Sequence, residues 1–179
     1  MFLDRDGTIN VSPPPGEYLT RPDDVKLIDG AALAIRRLNQ AGIWVGIATN
    51  QRGIALGLMT LEDLERVHER LQELLRAAGA TLDALYVCPH GIGMCDCRKP
   101  LPGLLRQARR EVPALDFARA AMIGDSPADV EAGRAAGTTT VLLSSADDAS
   151  GDGSADYTAA SLDAALDWLA VPPRSDGWP

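Results

Sequence analysis

Apolar residues are distributed along this chain in two rhythms. Short continuous runs, "MFL" (1–3), "IWVGIAT" (43–49), "ALYVC" (84–88), "AAMIGD" (120–125) and "TTVLL" (139–143), are apolar throughout or break off in polar residues. Between them, "GAALAIRRLNQAG" (30–42), "TLEDLERVHERLQELLRAAG" (60–79), "LPGLLRQARREV" (101–112) and "PADVEAGRAAG" (127–137) place apolar residues every three or four positions. The first rhythm is that of strands buried on both faces, and the second is that of amphipathic helices. Strands alternating with helices predict a parallel sheet in a doubly wound α/β fold. The helix over 60–79 also has its punctuation: Thr60 in front, Glu62 and Asp63 in the first turn, and Gly79 behind. A further helix is predicted over 161–170, with Trp168 and Trp178 anchoring the C-terminal segment. The stretch "ADDASGDGS" (146–154) reads as a flexible loop and "VPPRSDGWP" as a loose end.

In such a sheet, ligands bind at the carboxyl ends of the strands. The polar residues at those ends are Asp4 and Asp6, Thr49, the loop after Cys88, and Asp125, so one rim is expected to carry them all. The first strand has only three residues before Asp4, whereas central strands run to about five or six. The natural chain is therefore expected to start upstream of Met1.

Length and charge narrow the classes of function. At 179 residues the chain suits one domain, with a core over about 1–145, a cysteine loop at 88–97, and a C-terminal helix and tail over about 155–179. The formal charge of −8, with no basic run longer than "RR", argues against nucleic acid and anionic lipid. No apolar run reaches the roughly 18–20 residues of a membrane span, and the early acidic residues do not fit a signal peptide. Three clustered cysteines, rather than a spread disulfide framework, suggest a reducing compartment, by default the cytoplasm.

"LDRDGTIN" sets two carboxylates two positions apart after a strand. Alone it reads equally well as a solvated Asp-Gly turn. Its companions on the rim, Thr49, Lys99 and the Asp125 and Asp129 of "GDSPAD", make a set suited to phosphoryl transfer. A carboxylate such as Asp4 can attack phosphorus if the anionic repulsion is cancelled. A Mg²⁺ on Asp4 and Asp125, the Lys99 ammonium, and the Thr49 hydroxyl would cancel it. Asp6 can give a proton to the leaving oxygen and later take one from water.

"DRDGT", the strand-end Thr49, Lys99 and "GDSPAD" resemble, in order, the four motifs of the haloacid dehalogenase superfamily. The resemblance covers residues 1 to about 143 and implies that family's Rossmann-like fold. It implies Asp4 as nucleophile, Asp6 as acid and base, and Mg²⁺ held by Asp4, the Asp6 backbone carbonyl and Asp125. Asp129 would stand behind these, orienting Lys99 or a metal-bound water. Dehalogenases lack an acid at the place of Asp6, so its presence implies a phosphatase. The intervals around Thr49 leave no room for the cap domain that many relatives carry.

The loop "CPHGIGMCDCRKP" reads C-x-H-x₄-C-x-C, four ligands within ten residues. That suits a tetrahedral Zn²⁺ on Cys88, His90, Cys95 and Cys97, with no open position for chemistry. A Cys95–Cys97 disulfide would close a strained ring, and three free thiols are the remaining alternative. This loop, ending in "CRKP" on a capless chain, resembles the group of heptose-bisphosphate and histidinol-phosphate phosphatases within the superfamily. "INVS", "GEY", "TNQRGIALG" and "CDCRKPLPG" are closer to the heptose branch, whose substrate is D-glycero-D-manno-heptose 1,7-bisphosphate.

That resemblance implies substrate contacts from Arg5, Asn50, Gln51, Arg52, Arg98 and Ser126, with Arg98 taking the phosphate that is not cleaved. Tyr18 either lines the groove or packs under the proline-rich loop. Arg52 stands where the group has a small residue, adding a phosphate contact or facing solvent, and Leu56 where it has an arginine; the short cysteine loop and the long "VSPPPGEY" turn imply different groove walls. The implied partner is a small phosphorylated sugar, met by a monomer. Histidinol phosphate, a nucleic-acid end, or phosphate binding without turnover are the other readings. His68 is read as a surface histidine without a role.

Overall fold

A computed structural model describes residues 1–144 and 154–172. The glycine-rich stretch that follows Ser144 and the tail bearing Trp178 lie outside the described residues.

Six parallel strands form one sheet: β1 (Phe2–Leu3), β2 (Gly46–Asn50), β3 (Ala84–Cys88), β4 (Ala121–Gly124), β5 (Thr139–Leu143) and β6 (Tyr157–Ala159), in the order β3-β2-β1-β4-β5-β6. Five helices accompany them: α1 (Ala31–Gln40), α2 (Leu61–Ala77), α3 (Gly103–Glu111), α4 (Pro127–Ala136) and α5 (Leu162–Trp168). Every predicted strand and helix is present, which bears out the doubly wound reading. β6 was not anticipated, because three residues, "YTA", carry no periodicity. β2 is displaced towards Asn50, so its register sets Phe2 beside Gly46 and Met122, and Leu3 beside Ile47 and Ile123.

Strand alternation sends those two rows to opposite faces. Leu3, Ile47, Ile123 and Val141 meet Ile35 and Leu38 of α1, Val67, Leu71 and Leu75 of α2, and Leu162 and Leu166 of α5. Phe2, Ala48 and Met122 meet Leu104, Leu105 and Ala108 of α3 on the other side. Gly46 has no Cβ because the Trp44 ring lies where one would be, and Trp44 in turn packs edge-on against Phe2 at 5.3 Å.

Arg37 of α1 is buried and ties down the last described elements. It bonds Asp163 and Asp167 of α5 at 3.1 and 2.7 Å, the Pro172 carbonyl at 2.9 Å, and the Val171 carbonyl. Trp168 stacks on Tyr157 with ring centres 4.6 Å apart, which fixes α5 to β6. α2 opens on a reciprocal cap: Asp63 N–H donates to Thr60 Oγ1 at 3.0 Å, and Thr60 N–H donates to Asp63 Oδ2 at 2.8 Å.

The strand order reverses between β1 and β4, since β1 leads to β2 on one side while β4 leads to β5 on the other. A crevice opens at the carboxyl ends of strands at such a point. Only α1 and a 3-10 turn (Pro22–Asp24) separate β1 from β2, and only α2 separates β2 from β3, so no cap domain forms among the described residues.

Candidate active site

The loop after β1 and the loop after β4 meet over the crevice, and glycines let them come close. Gly7 adopts φ +77°, and a Cβ there would fall 1.8 Å from Asp125 Oδ2. Gly124 has no Cβ because one would lie 2.3 Å from Asp129 Cγ. Each absent methyl admits one carboxylate, so "DGT" and "GDSPAD" interlock.

Lys99 reaches into this crevice from the end of the cysteine loop. Its buried ammonium donates to Asp4 Oδ1 at 2.7 Å and to Asp129 Oδ1. The second Asp129 oxygen accepts from Ser126 Oγ at 2.6 Å and Ser126 N–H at 3.1 Å. Both Asp129 oxygens are thus engaged, which places Asp129 behind Lys99. Ligand oxygens of Asp4, Asp125 and Asp129 lie within 4.8 Å of one another.

Three carboxylates share a single ammonium, and the electrostatics record the imbalance. Burial raises the Asp4 pKa to about 7; Lys99 pulls it back, and Asp129 pushes it up further. Asp125 is raised to about 6, by burial of its carboxylate against the β1 loop and then by Asp129. Hard oxygen donors with surplus negative charge form a set that fits Mg²⁺.

Asp6 has the opposite environment. Burial works to raise its pKa, but the Arg5 guanidinium and hydrogen bonds from Arg5, Asn10 and Gln51 outweigh it and hold the group below its usual range. Arg5 donates from Nε and Nη2 at 2.8–3.1 Å, Asn10 Nδ2 at 2.9 Å, and Gln51 Nε2 at 3.0 Å. The same Gln51 amide donates to the buried Thr49 Oγ1 at 2.9 Å, joining the end of β2 to Asp6.

Several side chains expected to face substrate are engaged within the protein. Arg5 is 1% exposed and points inward to Asp6 and to His68, whose Nε2 lies 3.0 Å from its Nη1. Asn50 grips the Lys99 peptide at both groups, donating to its carbonyl at 2.9 Å and accepting from its N–H at 3.0 Å. Arg52 and Arg98 are partly exposed, and each has a buried guanidinium nitrogen without a protein partner, Nε in Arg52 and Nη1 in Arg98. The Tyr18 ring lies against Gly53 and lines a groove of about 370 Å³ with the proline-rich loop, including Pro13, Pro14 and Lys26. Tyr18 thus packs beside the proline-rich loop, in a groove whose lining includes none of the rim carboxylates.

His68 corrects the surface reading made from its charged neighbours. It is 7% exposed on the inner side of α2, and burial first, then Arg5, lower its pKa to about 3. Its spacing was the missed signal: it lies four positions after Leu64 and three before Leu71, on the buried stripe. Asn10 is a second residue that the sequence reading left without a part.

The cysteine loop gathers its four side chains as the spacing predicts. Cys88 Sγ lies 3.5 Å from Cys95 Sγ, Cys97 Sγ lies 3.2 Å from Cys95 Sγ, and His90 Nδ1 lies 3.3 Å from Cys97 Sγ. Four soft donors converging at these distances fit one Zn²⁺, whose bonds of about 2.3 Å to sulfur set ligands apart by somewhat under 4 Å. Gly103 opens α3 flush against the loop, where a Cβ would fall 2.2 Å from the Asp96 carbonyl.

A family model described as a haloacid dehalogenase-like hydrolase matches residues 2–137. The chain belongs to the haloacid dehalogenase-like hydrolases. Within them it is similar to the D-glycero-beta-D-manno-heptose-1,7-bisphosphate 7-phosphatase of Pseudomonas aeruginosa, 42% identical over 144 residues, covering 80% of this chain and 79% of that one. It is also similar to the corresponding 7-phosphatase of Thermosynechococcus vestitus, 38% identical over 190 residues, covering 96% and 95%. Among solved structures, the D,D-heptose 1,7-bisphosphate phosphatase of B. bronchiseptica, complexed with magnesium and phosphate, superposes with a TM-score of 0.85 at 33% identity, covering 95% of this chain and 97% of that one. The haloacid dehalogenase-like fold and the crevice at its strand reversal thus agree with the sequence motifs.

Proposed function

We propose that this chain is a Mg²⁺-dependent phosphatase that removes the 7-phosphate of D-glycero-D-manno-heptose 1,7-bisphosphate, a phosphoric monoester hydrolysis run through a phosphorylated Asp4. The observation that carries the reading is the pairing of two unlike carboxylates on one loop. Asp4 is lodged against the Lys99 ammonium, while Asp6 is held ionised by Arg5, Asn10 and Gln51.

When bound by Asp4, Asp125 and the Asp6 carbonyl, Mg²⁺ neutralises negative charge on the transferring phosphoryl group. Lys99 anchors Asp4 and adds positive charge beside the phosphate oxygens, with Asp129 and Ser126 fixing its position. The Thr49 hydroxyl lies on the same rim as a further donor. Asp4 attacks phosphorus, and the ester oxygen leaves with a proton from Asp6. The incoming phosphate raises the proton affinity of Asp6, countering Arg5 and making the acid form accessible. Asp6, now a base, takes a proton from water, which hydrolyses the phosphoaspartate and frees inorganic phosphate.

Specificity follows from the loops. Arg98 and Arg52 each carry an unpartnered guanidinium nitrogen and flank the Asn50–Lys99 clasp in sequence. They suit the phosphate that remains, which favours a bisphosphorylated sugar over cationic histidinol phosphate. Tyr18 and the proline-rich loop would wall the groove. Zn²⁺ on Cys88, His90, Cys95 and Cys97 would hold the loop that presents Arg98 and Lys99. We read the whole of 1–179 as one phosphatase domain, acting as a cytoplasmic monomer without a nucleic-acid or membrane partner. No described helix is long and apolar enough to cross a membrane.

Phosphate release, measured over both anomers of the heptose bisphosphate, fructose 1,6-bisphosphate and histidinol phosphate, tests the reading. The expected result is a kcat/KM at least about tenfold higher on the heptose bisphosphate than on the others. Equal or faster release from histidinol phosphate would overturn the substrate, and no release from any of them would overturn the chemistry.

A further inference from the structure

We infer that His68 is a positioning residue of this reaction, fixing the Asp6 carboxylate through Arg5. The inference rests on the acid–base role proposed for Asp6.

Arg5 sits between the two reactive aspartates, yet its guanidinium is closed off from solvent. Nε and Nη2 are committed to Asp6, at distances from 2.8 to 3.1 Å. The remaining nitrogen, Nη1, meets His68 Nε2 at 3.0 Å. A guanidinium has hydrogens to give and no lone pair to receive, so His68 must accept at Nε2 and carry its proton on Nδ1. The low pKa of His68, about 3, keeps the ring in this accepting form across the working range.

The acceptor stands on a firm base. α2 starts at the Thr60–Asp63 cap and packs Leu64, Val67, Leu71 and Leu75 into the core, with His68 among them. A core helix with no residue in the carboxylate cluster thereby sets the plane of the Arg5 fork, and the fork sets the plane of Asp6. A charged buried donor deprived of its acceptor turns to find another, because leaving it unpaired is costly. With His68 gone, Nη1 has no acceptor on its inner side, and the fork rotates off Asp6. Asn10 and Gln51 still hold Asp6, so the carboxylate would be misaimed rather than lost.

The leaving group separates this role from a merely structural one. An alkoxide needs a proton from Asp6 in order to depart, whereas p-nitrophenolate does not. His68→Leu fills the space but removes the acceptor; His68→Gln supplies an acceptor from its amide oxygen. On the heptose bisphosphate, kcat/KM for His68→Leu is expected to fall about 10- to 30-fold, while on p-nitrophenyl phosphate it falls less than about threefold. His68→Gln should restore the sugar-phosphate rate to within about threefold of the parent. If His68→Leu does not fold by circular dichroism, His68→Met serves with the same expectation. Equal losses on both substrates, no loss on either, or His68→Gln as slow as His68→Leu would overturn the inference. Asp6→Asn run in parallel should show a larger selective loss on the sugar phosphate. If it shows none, the acid–base reading falls and this inference with it; if it shows one while His68→Leu does not, only the inference falls.

Discussion

The molecule holds two clusters of ligand atoms built on opposite chemistry. The oxygen cluster draws Asp4 and Asp125 from the ends of two separate strands and Asp129 from the first turn of α4, and sets them around Lys99. The sulfur cluster takes Cys88, His90, Cys95 and Cys97 from a single loop. The first is placed by the whole sheet: its partners are distant in sequence, and its geometry exists once β1 and β4 are paired. The second is placed by its own spacing and meets the fold through Cys88, at the buried end of β3, through Cys95 and Cys97 packed against the α3 side of the core, and through Gly103. A cluster assembled at long range tolerates surplus charge because the sheet has already fixed it. A local cluster of such donors depends more on any metal it binds to hold it together.

The sharpest break in this comparison is Asp4→Asn. Turnover is expected to fall by about 10³-fold or more, which is about 4 kcal/mol of transition-state stabilisation, measured as kcat on the sugar bisphosphate. The melting temperature should hold or rise, since the exchange removes one of three crowded carboxylates. Lys99→Met comes next and acts on both counts. It leaves Asp4 and Asp129 facing each other without their shared cation, so activity is lost, and thermal unfolding should register about 3–5 kcal/mol of destabilisation in metal-free protein. Added Mg²⁺ should recover part of that.

Cys97→Ser probes the other cluster. Bound zinc, measured by elemental analysis, should drop below one per chain, and the melting temperature should fall by roughly 5 °C or more. The remaining activity should still be restored by Mg²⁺ and abolished by its removal; activity that follows zinc instead would merge the two clusters into one function. The smallest effect concerns protons. In the proposed Mg²⁺ site, Asp125, at about 6, and Asp4, at about 7, would both have to be ionised for the ion to bind. Calorimetric Mg²⁺ affinity is therefore expected to tighten as pH rises from about 5 to about 8 and then level off.

The difference between the clusters also governs what could be read in advance. The gathering of the four side chains in the cysteine loop was legible, because its geometry is written in closely spaced residues. The rim was legible as a set of strand ends, since continuous apolar runs that break at acids and threonine mark where a parallel sheet ends. The partners within the rim were not. Nothing in "TNQR" says that Asn50 turns back to hold the Lys99 peptide, or that Gln51 spans Thr49 and Asp6. His68 was misread for a different reason: charged neighbours on the outer face of α2 drew attention from the period that puts it inside. β6, three residues long, falls below any periodic signal.

The clasp by Asn50 has one more consequence. By matching both groups of the Lys99 peptide, a single side chain continues the rung pattern of the sheet one step past the end of β2 and welds the exit of the cysteine loop to the core. The cysteine loop, residues 89–98, then runs between two fixed terminals, the end of β3 and the Lys99 peptide. A segment of other length and composition, seated on the same two ends, would change which molecule is selected while the phosphoryl chemistry beneath it stays in register.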